Sequence, residues 1–140
     1  MQYTSITCCL VVGGLPLQTQ AVDLQRRPDI VVCTPGRMID HVQNSMSVDL
    51  DDVEVVILDE ADRLLELGFT EELHELLRLC PVKRQTLLFS ATMTDDVSDL
   101  ISLSLQKPVR VFVDPVNQVV DRLVQVRSRE VEVMRRSSFA

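Results

Sequence analysis

The chain has 140 residues, 46% of them hydrophobic and 25% charged, a length and balance that suit one globular domain with a real core. No apolar run approaches the ~20 residues that a helical membrane span needs, and Ile6–Val12 lacks the basic flank and cleavage site of a signal peptide. The net charge is −7 and uneven, with −9 on residues 51–100, −1 before them and +3 after them, so any grip on nucleic acid has to come from a local, shaped site.

Ile6–Val12 reads as a first strand, closed by Gly13-Gly14. Pro16 suits the first turn of a helix that sets Leu17, Ala21 and Leu24 on one face and ends at Arg26-Arg27-Pro28. Asp29–Cys33 is a second strand, and Thr34-Pro35-Gly36-Arg37 a turn at its carboxyl end. The next helix carries Ile39, Val42 and Met46 on one side, and Ser45–Asp52 is a polar connection. Val55-Val56-Ile57-Leu58 is a short aliphatic run of the kind that forms a strand buried on both faces.

That run delivers three carboxylates in four residues, Asp59, Glu60 and Asp62. Acids at the carboxyl end of a buried strand are how open α/β sheets present ligand-binding groups. Taken alone, they also suit the positive end of the following helix. Gly68 stops that helix, and Thr70 looks like the cap of another. Its Leu73, Leu76, Leu77 and Cys80 share a face, and Pro81 ends it. Gln85–Phe89 is a fourth strand, running into Ser90-Ala91-Thr92. Thr94 caps a helix with Val97, Leu100, Ile101 and Leu105 inward, and Val109–Val113 is a last strand. Strands and helices alternating through short loops predict a doubly wound, mainly parallel α/β sheet. Thr34–Arg37, Asp59–Asp62 and Ser90–Thr92 then lie at one edge of it.

The cysteines (Cys8, Cys9, Cys33 and Cys80) show no C-x-x-C spacing, and His41 and His74 add no metal pattern. They read as structural thiols in a reducing compartment, with Cys8 and Cys9 on opposite faces of the first strand.

Asp59-Glu60-Ala61-Asp62 resembles the signature of the DEAD-box ATP-dependent RNA helicases. Gly13-Gly14, Thr34-Pro35-Gly36-Arg37 and Ser90-Ala91-Thr92 are similar to that family's Gly-Gly motif, motif Ib and motif III, in the family's order. The resemblance covers about residues 5–113. It implies a partial RecA-like domain of the P-loop NTPase type, with helices on both faces of the sheet. It implies ATP and Mg²⁺ as cofactors, with Asp59 holding Mg²⁺ through water and Glu60 orienting the attacking water. Asp62 with Ser90 and Thr92 would couple nucleotide state to RNA grip. Gly13, Gly14, Thr34, Pro35, Gly36 and Arg37 would contact the RNA backbone. Asp49–Arg63 and Arg84–Thr94 look most like the nucleolar, ribosome-assembly branch of plant type, which implies a ribosomal RNA precursor as partner and a nuclear location.

The chain departs from the family in lacking G-x-x-x-x-G-K-[ST], since no lysine follows a glycine. The glutamine motif and motif Ia have no counterpart either. The expected organisation is therefore a helicase domain without its P-loop part over 1–113. A linker and the start of a second domain would fill 114–140, within which Leu123–Val126 could be a strand. An inner strand edge is expected to be exposed, and ATP turnover is expected to be absent from this chain alone. The alternative is a non-catalytic module that binds RNA or a partner; an unrelated α/β domain comes third.

Overall fold

The computed structural model describes residues 3–45 and 47–112. Met46, Val113, the 114–121 linker and the Leu123–Val126 strand lie outside the described residues. The chain divides into two units, Met1–Pro108 and Val109–Ala140, and the elements below belong to the first.

In chain order they are β1 (Cys8–Val11), α1 (Leu17–Gln25), β2 (Ile30–Cys33), α2 (Pro35–Asn44), β3 (Val55–Leu58), α3 (Ala61–Glu66), α4 (Thr70–Leu79), β4 (Gln85–Leu88) and α5 (Asp95–Ser104). Every strand is four residues long. The alternation is as expected, and each strand pair is parallel with helix in the crossover.

Two features differ from a single continuous sheet. Among the described residues β1 pairs only with β2, in the register Cys8↔Ile30 to Val11↔Cys33. Among the same residues β3 pairs only with β4, from Val55↔Gln85 to Leu58↔Leu88. The second difference is burial. β3 was expected to be covered on both faces, yet Ile57 is 59% exposed while Leu58 is buried. Side chains alternate across a strand, so Val56 and Leu58 pack inward and Val55 and Ile57 face away from the core. β2 is exposed along its length, with Val32 53% accessible. The β-branched composition suits an interior strand, but among the described residues nothing covers that face.

The core forms two clusters. One joins Leu58 of β3 to Ala61 and Leu65 of α3, Leu73 and Leu77 of α4, and Val97, Leu100 and Ile101 of α5. The other joins Cys9 and Val11 of β1 to Leu24 of α1, Met38 of α2 and Val48. Leu76 of α4 packs against this second cluster from the side.

The helix ends follow local chemistry. After α3 the Gly68 amide donates to the Leu65 carbonyl at 2.9 Å and the Phe69 amide to the Leu64 carbonyl at 3.1 Å. With Gly68 at φ +86°, this is the Schellman stop that glycine permits. Thr94 caps α5, its hydroxyl accepting from the Val97 amide at 3.3 Å. Thr70 does not cap α4; it is the first helical residue and Phe69 holds the cap position. Arg84 closes the other end of α4 by donating to the carbonyls of Leu77, Cys80 and Pro81 at 3.2, 3.3 and 2.8 Å.

Thr34–Arg37 was expected to be a turn. Thr34 is instead the extended residue before α2, and Pro35 and Gly36 are already helical, because proline is pre-set for the first helical position. Residues 109–112 form no strand; no partner ladder is available to them among the described residues, and a strand exists only by pairing.

Candidate functional site

The polar residues singled out in the sequence collect into two groups, one on each strand pair. The first lies where β3 and β4 end. The Phe89 amide donates to the Leu58 carbonyl at 2.8 Å, and the Ala61 amide donates to the Phe89 carbonyl at 3.0 Å. These bonds carry the parallel ladder past the strand ends and clamp the Asp59–Asp62 turn to the Ser90–Thr92 turn. Asp62, in the first turn of α3, uses one carboxylate oxygen twice. Its Oδ2 accepts from the Thr92 hydroxyl at 2.7 Å and from the Thr92 amide at 2.9 Å. These bonds, led by the hydroxyl, hold the carboxyl below its ordinary range, against the opposing effect of desolvation. Ser90 points its hydroxyl back to the Thr92 carbonyl at 2.7 Å, which shapes the same turn. Its proximity adds a minor lowering on Asp62.

Asp59 and Glu60 are both exposed at the tip of β3. Glu60 sits at φ 48°, ψ 48°, the left-handed region that a side chain enters at a cost of about 1–2 kcal/mol. The Asp59 Oδ1 accepts from the Glu60 amide at 3.0 Å. Its second oxygen makes no hydrogen bond among the described residues. A Mg²⁺ ion takes one or two carboxylates and keeps most of its waters, so a single exposed carboxylate fits a water-mediated contact. No group of three or more His, Cys, Asp or Glu able to hold a metal occurs among the described residues. The sequence holds no phosphate cradle, so the residues present do not fit ATP on their own.

The second group lies where β1 and β2 end. Gly13 and Gly14 form an exposed turn, with Gly14 at φ +80°, and a Cβ built on either glycine meets nothing within 4 Å. The turn is braced from α2: the Arg37 Nη1 donates to the Leu15 carbonyl at 2.7 Å. Arg37 was singled out as a base at a strand end that would contact the RNA backbone. Its side chain is only 15% exposed, and its Nε lies 3.8 Å from Asp40 Oδ2. Thr34 makes no side-chain cap, but its amide donates to the Val11 carbonyl at 3.0 Å. Pro35 is buried.

Gly13, Gly14 and Thr34–Arg37 thus come together, as do Asp59–Asp62 and Ser90–Thr92. No hydrogen bond or ion pair among the described residues joins one group to the other. Gln20 and His41, beside the Gly13-Gly14 turn, were not singled out in the sequence. They are 3% and 2% exposed, and their side chains meet at 3.3 Å. The available signal was a polar residue on each apolar helical stripe: Gln20 four before Leu24, and His41 three after Met38. The stripe expected for α1 was wrong in its first member, since Leu17 is exposed and Gln20 takes its place inside.

The description of the DEAD/DEAH box helicase family matches residues 1–100. The chain is 61% identical over 114 residues to DEAD-box ATP-dependent RNA helicase 28 of Oryza sativa, and 64% identical over 114 residues to the Arabidopsis thaliana protein of the same name. Each match takes 81% of this chain but 14% of the relative. ATP-dependent RNA helicase DRS1 of Mycosarcoma maydis is 54% identical over 125 residues, 89% of this chain and 13% of that protein. The chain therefore spans about a seventh of the length of these relatives.

Among solved structures, the yeast DEAD-box splicing factor Prp28 superimposes with a TM-score of 0.69 at 35% identity, over 74% of this chain and 24% of that one. A DEAD box protein from Methanococcus jannaschii gives 0.70 at 32% identity, over 75% of this chain and 28% of that one. The α/β fold is RecA-like, as these neighbours have it. Its helices and parallel strands agree with the fold class expected from the sequence. With the family's description covering most of the chain, and its Asp-Glu-Ala-Asp tetrapeptide hydrogen-bonded to Thr92 at the end of the neighbouring strand, this chain belongs to the DEAD/DEAH box helicase family.

Proposed function

We propose that residues 1–113 are part of the first helicase domain of an ATP-dependent RNA helicase that remodels RNA in ribosome assembly, in the nucleus. Residues 114–140 would be a linker and the start of a second domain. The observation that carries this is the Asp62 carboxylate held by the Thr92 amide and hydroxyl at 2.9 and 2.7 Å. That contact ties the acid-bearing turn after β3 to the turn after β4, so a shift in one is felt by the other. Asp59 would hold Mg²⁺ through water; the ion, when bound, neutralises phosphate charge. Glu60, at the strand tip, would orient a water. Gly13, Gly14 and the start of α2 at Thr34–Arg37 offer amides and open backbone to a phosphate chain. The branch assignment, with a ribosomal RNA precursor as partner, rests on the resemblance of Asp49–Arg63 and Arg84–Thr94. The relatives' names, DRS1 among them, support the family.

The lack of a phosphate cradle in these 140 residues favours a second reading for the chain by itself: a non-catalytic module that binds RNA or a protein partner. The exposed aliphatic side chains of β2 and β3 support it.

The test replaces the matching 114 residues of the Oryza sativa helicase with this chain's own, and measures RNA-stimulated ATP hydrolysis and duplex unwinding. The expected result is an active chimera that loses hydrolysis in Glu60→Gln. Asp62→Ala should keep RNA-independent hydrolysis and lose its stimulation. A chimera equally active with Gln at 60 would overturn the assignment. The 140-residue chain alone should hydrolyse ATP no faster than buffer, with or without RNA. An RNA-stimulated ATPase of that chain that vanishes in Glu60→Gln would sink the second reading.

A further inference from the structure

We infer that Gln20 and His41 are positioning residues for the RNA grip: a buried hydrogen-bond relay that holds the Gly13-Gly14 turn in register with the start of α2. The inference rests on the proposed RNA-binding role of that turn. The Gln20 Nε2 donates to the Val12 carbonyl at 2.9 Å. Because that end of the amide must be the donor, the Oε1 is the acceptor toward His41, and the His41 Nε2 carries the proton of the 3.3 Å bond. His41 is on α2, Gln20 on α1, and Val12 is the residue before the glycines. On the far side of the glycines, Arg37, one helical turn before His41, holds the Leu15 carbonyl. The two glycines are therefore bracketed by two struts from the same helix, one direct and one through Gln20.

The glycines need such bracketing. A Cβ on either one meets nothing, so no side-chain packing fixes the turn, and glycine loses the most backbone freedom on ordering. Gln20 and His41, by contrast, are nearly inaccessible, and each is positioned by the other. A buried polar pair is kept only where its bonds are made. Gln20 has a carbonyl to satisfy at one end and a ring nitrogen at the other, and it spends both on this turn. If Gln20 merely filled space, a side chain of equal volume would serve.

The test has two arms. In the first, ¹⁵N order parameters are measured on the 140-residue chain. Wild type should show values of about 0.85 at Gly13, Gly14 and Leu15, as rigid backbone does, and Gln20→Met should drop them below about 0.6. Gln20→Glu keeps the acceptor for His41 but cannot donate to Val12, so it should loosen the turn as well, and it covers the case in which the methionine variant unfolds. His41→Leu should loosen the turn, while His41→Gln, which keeps a donor at the same reach, should restore it. In the second arm the same changes are made in the Oryza sativa chimera. RNA affinity should fall about tenfold in Gln20→Met, the consequence of one buried bond lost, with RNA-independent ATP hydrolysis unchanged, and His41→Gln should bind as wild type does. A turn that stays ordered in both Gln20 variants overturns the relay. A turn that loosens without loss of RNA affinity overturns its role in the grip. A wild-type chimera that does not bind RNA overturns the underlying functional assignment, before any variant is made.

Discussion

Arg37→Ala removes a side chain with two separable jobs. The guanidinium donates to the Leu15 carbonyl at 2.7 Å and is largely shielded. A hydrogen bond from a charged donor is worth about 1.5–3 kcal/mol net. The neighbouring Asp40 is 56% exposed and 3.8 Å away, a pairing that adds no more than about 0.5 kcal/mol. The variant should therefore lose about 1.5–3 kcal/mol of unfolding free energy, a fall of about 1 M or more in the urea midpoint at an unchanged slope. Arg37→Lys should recover only part of it, since an ammonium cannot reach the Leu15 carbonyl and Asp40 with a planar fork. In the Oryza sativa chimera the same alanine should weaken RNA binding equally for two unrelated sequences, because phosphate contacts carry no base information. The salt dependence should become shallower by about 0.7 in log–log slope for a single strand. Stability within about 0.5 kcal/mol of wild type refutes the strut. An unchanged salt slope refutes the phosphate contact, and affinity lost for one sequence alone means that Arg37 reads bases or shape.

Leu100 is fully buried in the α3–α4–α5 cluster, so Leu100→Ala should cost about 2–5 kcal/mol in a urea titration. Glu60→Gly should raise stability by about 0.5–1 kcal/mol, the left-handed strain relieved less the entropy of glycine; a destabilised variant would show that the Glu60 side chain contributes more than its backbone costs. Burial, with help from Arg37, holds His41 below its ordinary 6.5. Between that lowered value and 6.5 the unfolded chain binds the extra proton and the folded chain does not. Stability is thus complete above pH 6.5 and declines as the pH drops through that window, and urea midpoints between pH 7 and 5.5 should vary less in His41→Gln than in wild type. The lowered carboxylates Asp29 and Asp62 act further down, losing their contribution only as the pH falls below 3.8 through their folded values.

Much of this protein is local and so is written along the chain. Gly68 ends α3 because a left-handed residue must stand there, Thr94 caps α5 with its own hydroxyl, and the spacing of Leu73 and Leu77 turns one face of α4 inward. Each depends on neighbours within a few residues, and a linear pattern carries it. The strand-end acids of Asp59–Asp62 and the hydroxyls of Ser90–Thr92 were legible for the same reason, as polar clusters following short apolar runs. Which of them touch was decided by tertiary structure. Asp62 meets Thr92, thirty residues on, only because β3 and β4 pair in parallel and in register. The inward turn of Gln20 and His41 was decided there too: helical periodicity placed Leu17 on the buried face of α1, where Gln20 sits instead and donates to the Val12 carbonyl, and His41 is buried beside a Val42 that packs against the core as expected. The hold on Arg37 could not be read in the sequence, since a carbonyl twenty-two residues away has no trace in local pattern. Composition alone predicted a covered β3; coverage depends on what packs against its outer face, and no property of Val55–Leu58 itself can supply that.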